Sequence, residues 1–176
     1  MAMAVDAVKS RLVLQQCLSA RLQVQPPSET GIEAEYVEVR GYIGKGMIIY
    51  VCFMKGATEE TVEKMVKCAL NTCLSPSEDP SATKRVSVLD LPGDILIIPQ
   101  ATLGGTPKGK LMQYHKNIAK EDGKKLYAHF VSLCEASLHM SERAREQEKH
   151  VRAGTYGNLQ VFSTNTNGPF THLLEF

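Results

Sequence analysis

The sequence predicts an α+β fold: two helices laid against an antiparallel or mixed sheet, or against a strongly curved sheet in barrel-like partial closure. Three observations carry this. Strand-like runs fall before, between and after two longer helical stretches, and the clearest of them are the apolar runs 47–53 and 95–98. Strand and helix alternate too seldom for a doubly wound sheet. The 176 residues, 43% hydrophobic and 22% charged, suffice for one domain whose core needs no covalent staples.

Residues 1–10 read as a loose N-terminal arm, ahead of a single domain over 11–176. Residues 11–24 read as a strand, with a helix conceivable from Leu12, Leu14, Leu18 and Leu22, and Pro26 and Pro27 end the element. Residues 36–40 alternate apolar and polar, a turn follows over 41–46, and the continuous run 47–53 completes a hairpin with a longer loop. Thr58 is placed to cap a helix over 58–71. Glu59 and Glu60 suit the positive end of its dipole, and Val62, Met65, Val66, Ala69 and Leu70 form one stripe. A polar loop covers 76–83, strands follow at 86–89 and 95–98, and a long loop spans 104–123. The second helix is expected over 124–147, with Leu126, Phe130, Leu133, Cys134 and Ser137 on one face. Two or three strands close the chain over 151–176.

The formal net charge is only +1, so any nucleic-acid contact must come from a local patch. Five cysteines lack CxxC spacing and read as reduced, mostly buried residues of a cytosolic protein. Asp6, Lys9 and Arg11 interrupt any secretory apolar region, a mitochondrial presequence is not supported, and no stretch is long and apolar enough to span a bilayer. His115, His129, His139, His150 and His172 show no metal-ligand spacing, and there is no GxSxG elbow. Neither a metal nor a cofactor is expected.

Three segments carry chemistry. Gln100 and Thr102 end the apolar run 95–98, and a strand's two-residue period would turn both to one face. Gly104 and Gly105 then permit close approach of a ligand, or simply a turn. Near the C-terminus, Gly168-Pro169 can fix a carbonyl in a rigid orientation, with the isomer of the bond not readable from sequence. Between them, Lys108, Lys110, Lys116, Lys120, Lys124 and Lys125 against Glu121 and Asp122 give a segment of net +4. Tyr114 and His115 lie inside it and could stack on a base. A solvated lysine-rich loop is the alternative.

Pro99-Gln100-Ala101-Thr102-Leu103 and Asn167-Gly168-Pro169-Phe170-Thr171 resemble the two signature motifs of the D-aminoacyl-tRNA deacylase family. The common branch reads Ser-Gln-x-Thr-Leu and Asn-x-Gly-Pro-Val-Thr; Pro99 and Phe170 depart from it as the animal-specific branch does. Lys125-Leu126-Tyr127, Phe130-Val131, Gly154-Thr155-Tyr156-Gly157 and Leu159-Gln160-Val161 extend the likeness over residues 12–176.

The resemblance implies a homodimer on a barrel-like core. It makes Gln100, Ala101 and Thr102 the catalytic segment beside the 3′-terminal adenosine of tRNA, with Leu103 contributing main chain. Gly168 and Pro169 become a gate inserted into the partner's site, flanked by the substrate-binding residues Asn167, Phe170 and Thr171. Gln16 stands where the common branch has a gate-supporting Arg, which favours a relaxed gate. Lys108, Lys110, Tyr114 and Lys116 would meet the acceptor stem. The implied activity is cofactor-free, cytoplasmic hydrolysis of D-aminoacyl-, glycyl- and L-alanyl-tRNA, including L-alanine misplaced on the threonine tRNA. Water attacks the ester, backbone donors hold the oxyanion, and the substrate's 2′-hydroxyl assists. One alternative is a non-catalytic RNA-binding module of the same fold. Another is a hydrolase using Cys52 or Cys134, which their apolar surroundings disfavour.

Overall fold

The continuous apolar run ending at Phe53 becomes the central strand of the molecule. The computed structural model describes residues 7–25, 35–40, 46–79, 81, 83–91, 93–168 and 170–176. In chain order its elements are β1 (Ser10–Cys17), β2 (Ser19–Gln25), β3 (Glu35–Arg40), β4 (Gly46–Phe53), α1 (Glu59–Asn71), β5 (Ser75–Pro76), β6 (Arg85–Val86) and β7 (Asp94–Pro99). A 3-10 turn (Ala101–Gly104) follows, then β8 (Thr106–Lys108), β9 (Leu111–Gln113), α2 (Lys120–Met140), α3 (Glu142–Glu146), β10 (Val151–Ala153), β11 (Val161–Asn165) and β12 (Thr171–Glu175).

β4 sits mid-sheet in the order β10-β7-β4-β1-β12, parallel to β7 and antiparallel to β1. Both its faces are buried, which is why its sequence lacks polar alternation. Ile49, Val51 and Phe53 pack with Leu12, Leu14, Ile95 and Ile97 beneath the helices. Ile48 packs on the other face with Cys17, Leu22, Leu96 and Ile98, against a second sheet of order β11-β2-β3. The layers are therefore helices, five-stranded sheet and three-stranded sheet. Each large aliphatic side chain so buried contributes about 1.5–3 kcal/mol.

α1 forms as its sequence directs. Thr58 caps it, with Thr61 N–H donating to the Thr58 hydroxyl at 3.4 Å and Thr58 N–H donating to Thr61 Oγ1 at 3.1 Å. Thr61 joins the expected stripe in the core.

Several expectations are corrected. Residues 11–24 are two strands rather than one strand or a helix, broken at Leu18. The strand at 86–89 shrinks to Arg85–Val86, because Asp90 accepts hydrogen bonds from Ser87 N–H and Oγ and closes a turn. The loop over 104–123 contains the 3-10 turn and the β8–β9 hairpin. The second helix starts at Lys120, with Glu121 and Asp122 in its first turn. It ends at Met140, and Ser141 caps a separate third helix by accepting from Ala144 N–H at 3.3 Å. Neither sheet closes on itself among the described strands, so a closed barrel-like sheet is not found. Lys9 and Ser10 are tied down, both N–H groups donating to Phe176 O. Residues 1–6, Pro26-Pro27, most of the expected turn at 41–46, and Pro169 lie outside the described residues.

Candidate active site

β7 ends at Pro99, and the chain there is handed from sheet to 3-10 turn. Gln100 N–H still donates to Val51 O at 2.8 Å, so the residue remains registered on β4. The turn brings Gln100 Nε2 to Thr102 Oγ1 at 2.5 Å. The two side chains do meet, but through a turn rather than by strand period.

Side chains from distant parts of the chain fix the turn's carbonyls. Asn117 Nδ2 donates to Ala101 O at 2.9 Å, and Arg11 Nη1 donates to Leu103 O at 2.6 Å while its Nε donates to Glu175 at 2.8 Å. Gly104 is buried between Asn117 and Cys52; a Cβ there would lie 1.8 Å from Asn117 Oδ1 and 3.2 Å from Cys52 Sγ. Burial pushes the Cys52 thiol pKa up, and the Gly104 N–H and the Arg11 charge offset only part of it. Cys52 is a packed neutral thiol rather than a nucleophile.

The turn walls a cavity of about 640 Å³, inside the range of roughly 300–1,000 Å³ common for small-molecule sites. Leu22, Tyr50, Ile98 and Phe162 give it an apolar side, with the Tyr50 and Phe162 rings edge to face at 5.9 Å. Gln100, Thr102, Asn117, Lys120, Asn158 and Gln160 supply its polar groups. Among the described residues lining it there is no Asp, Glu or His. No cluster of His, Cys, Asp or Glu among the described residues could hold a metal ion. The first N–H groups of the turn, at Ala101 and Thr102, have no carbonyl within the turn to bond.

The second motif lies elsewhere in the same chain. Gly168 has φ +149°, a conformation suited to glycine, and a Cβ there would meet the Phe170 ring at 2.7 Å. Gln15 Nε2 donates to Gly168 O at 3.2 Å, and Thr171 Oγ1 donates to Gln15 Oε1. Asn167 and Phe170 are exposed. Arg11 anchors the first motif and Gln15 the second, so along β1 they stand roughly 13 Å apart at about 3.3 Å per residue.

Gln16 joins neither group. It faces the helix side of β1, where its Nε2 donates to Ser75 Oγ at 2.6 Å. Lys108 and Lys110 belong to the exposed β8–β9 hairpin. Tyr114 and Lys116 lie just after it, and Tyr114 and Met112 crowd Gly105 at the end of the 3-10 turn. The hairpin thus flanks the turn.

The family described as D-Tyr-tRNA(Tyr) deacylase matches residues 13–175. This chain belongs to that family. It is 55% identical over 169 residues to D-aminoacyl-tRNA deacylase 2 of Danio rerio, covering 96% of this chain and 100% of that one. The Homo sapiens protein of the same name is 52% identical over 168 residues, covering 96% and 95%. A solved structure described as "Structural Analysis of a probable eukaryotic D-amino acid tRNA deacylase" superposes with TM-score 0.75 at 27% identity, covering 96% of this chain and 100% of that one.

In this deacylase-family chain, Arg11, Gln15 and Asn117 are the contacts that sequence reading missed. Arg11 and Asn117 act 92 and 16 residues from their carbonyls, a separation no local pattern encodes. The parity of β1 was the available signal for Gln15: it lies on the face opposite the core residues Leu12 and Leu14.

Proposed function

We propose that this chain is an aminoacyl-tRNA deacylase that cuts the ester between an amino acid and the 3′-terminal ribose. The observation that carries the reading is the cavity walled by Gln100, Ala101 and Thr102 in a chain of this family. Its apolar side suits the adenine ring, and the pair Gln100–Thr102 sits where the ester would lie. Water attacks the carbonyl, and the N–H groups opening the 3-10 turn stabilise the oxyanion. With no carboxylate or imidazole among the described residues lining the cavity, the vicinal 2′-hydroxyl of the substrate moves the proton. Thr102 and Gln100 position the ester, and Leu103 shapes the turn through its main chain. Lys120 at the wall, and Lys108, Lys110, Tyr114 and Lys116 on the flanking hairpin, meet the acceptor stem.

The working form in this reading is a homodimer. One chain holds Gly168 about 13 Å along β1 from the Arg11 anchor of its own first motif, whereas a two-fold axis brings opposite ends of paired faces together. Gly168 and Pro169, flanked by Asn167, Phe170 and Thr171, then gate the partner's pocket. Gln16, in place of an Arg, goes with a gate loose enough for a methyl group. The substrates proposed are D-aminoacyl-, glycyl- and L-alanyl-tRNA, including L-alanine on the threonine tRNA. The cytoplasm suits five free cysteines, and among the described residues no helix is long and apolar enough to cross a membrane.

The test is release of amino acid from D-alanyl-, glycyl- and L-alanyl-tRNA, with and without a chelator. Turnover in both conditions supports the reading. Binding of tRNA without any turnover would make this a non-catalytic RNA-binding module.

A further inference from the structure

A second cleft lies at the other end of α2. It has a volume of about 510 Å³ and is formed by the C-terminal half of α2, by α3 with the segment after it, and by β10. Its charged lining is Arg145, Lys149 and Arg152 against one acid, Glu135, with His139 and His150 beside them. Arg145 Nη1 donates to His139 O at 2.5 Å and Arg152 Nη1 to Val151 O at 3.5 Å. Both partners are main-chain carbonyls, which orient a guanidinium without neutralising it and leave further N–H donors for an anion. The fold does not need this charge for its core: α2 contributes Leu126, Phe130, Cys134 and Leu138 to it, and of these only Leu138 reaches the cleft wall.

The same helix joins this cleft to the ester pocket. Lys120, its first residue, lines the pocket, and Glu135, Leu138 and His139 near its last turn line the cleft. At about 1.5 Å per residue the separation is roughly 22–29 Å. Between the two ends the exposed positions include Ala128, Ser132 and Ala136, short enough for a polymer backbone to approach. A ligand touching both ends must be long and carry repeated negative charge. A nucleic-acid duplex has that charge pattern; a free nucleotide or a metabolite is too short.

We propose that the Arg145–Lys149–Arg152 cleft is a second RNA site, which grips the phosphate backbone of the acceptor duplex while the 3′ end occupies the pocket. The inference rests on the deacylase reading for the polarity of the RNA, and only for that. Its contacts are to phosphate, so they add affinity and register without sequence preference.

The test compares two substrates on the unaltered protein and on the double variant Arg145→Gln, Arg152→Gln, with Arg152→Gln alone as a milder change on a strand edge. One substrate is D-alanyl-tRNA. The other is a D-alanyl ester of the trinucleotide CCA, too short to reach the cleft. For tRNA, KM rises on the order of ten-fold with kcat unchanged, and the log-log salt slope of tRNA binding falls by about 0.7–0.9 per lost contact. Turnover of the trinucleotide ester stays unchanged, which also shows that the variants fold. Equal loss on both substrates, or no change in KM and salt slope for tRNA, overturns the proposal. If the unaltered protein hydrolyses neither ester, the deacylase reading fails, and the salt slope of tRNA binding still decides the cleft.

Discussion

Asn117 holds the carbonyl of Ala101 with its Nδ2 at 2.9 Å, and its Oδ1 fills the space where a side chain on Gly104 would begin. That Oδ1 is buried and has no hydrogen-bond partner among the described residues. The amide is thus committed to one contact on the 3-10 turn and shaped against another. The absence of a side chain at Gly104 and the presence of an amide at Asn117 are one packing decision.

Gly104→Ala therefore drives a methyl into Asn117 and should cost about 1–3 kcal/mol. Asn117→Ala opens that space but leaves Ala101 O without its donor. The double variant should recover part of the stability lost in Gly104→Ala without recovering deacylation. Denaturant midpoints over the full cycle check this, and strictly additive costs would show that the two residues do not meet.

Arg11 links the same turn to the last strand. Its pairing with Glu175 is partly exposed, with side-chain accessibilities of 30% and 44%. Such a pair contributes less than about 1 kcal/mol. Glu175→Gln should therefore leave turnover nearly unchanged. Arg11→Ala also removes the donor to Leu103 O and should lower kcat/KM clearly more. Arg11→Lys should not rescue it, because an ammonium cannot serve two acceptors in the fixed geometry of a guanidinium. Equal effects of Glu175→Gln and Arg11→Ala would mean that the turn stands without Arg11.

The thiols divide by environment. Burial pushes Cys17 up to about 11 and Cys134 up to about 12, with the negative charges of Asp94 and Glu135 adding to the respective shifts, and burial raises Cys52 as well. Cys68 is half-buried and Cys73 exposed. At neutral pH an alkylating reagent should modify Cys73 first and Cys68 next, reach the other three only on unfolding, and leave deacylation intact. Loss of activity in step with labelling of Cys52 or Cys134 would revive a thiol mechanism.

What the sequence disclosed and what it hid follow from the range of the forces. Thr58, its acids and the stripe down to Leu70 are local, so α1 was legible to within a residue. The run ending at Phe53 announced a strand buried on both faces for the same reason. The start of α2 was missed because Gly123 looked like a loop residue, yet it lies against the Tyr156 hydroxyl in a place no side chain fits. Gln100 and Thr102 were expected on one strand face; a four-residue turn brings them together instead. At β1 the comparison of motifs drew attention to Gln16, but strand parity gives the contact with Gly168 to Gln15. Long-range anchors such as Arg11 and Asn117 leave no periodic trace.

The gate is proposed to act across a dimer, and mixing experiments separate that from action within one chain. Gly168→Val places a side chain at φ +149° against Phe170 and should disable the gate, while Gly104→Ala disables the pocket. Each homodimer should be inactive on D-alanyl-tRNA. After subunit exchange, each heterodimer holds one intact pocket facing one intact gate, so turnover should return to about a quarter of the unaltered level. No recovery, with exchange verified by mass, would place the gate in its own subunit.

The most demanding prediction concerns handedness. A gate packed tightly on the α-carbon admits glycine and D-residues and clashes with every L side chain. Here Gln16 is turned away to Ser75, and the carbonyl of Gly168 is held by the neutral amide of Gln15. The Gly168 carbonyl thus accepts from a neutral amide, a weaker hold than a charge-assisted hydrogen bond. A methyl is the smallest side chain and should pass first. L-alanyl-tRNA should be cleaved alongside D-alanyl- and glycyl-tRNA, while L-threonyl-tRNA is spared. One extra methylene or hydroxyl in a pocket of this kind is worth only about 1–3 kcal/mol, so sparing of the correct product must draw also on tRNA contacts. All four esters should therefore be compared on one tRNA body, and again on the bare CCA trinucleotide, where the preference for L-alanyl over L-threonyl should narrow. If L-alanyl-tRNA survives enzyme concentrations that clear the D-form, the gate is tight and the protein removes D-residues and glycine alone.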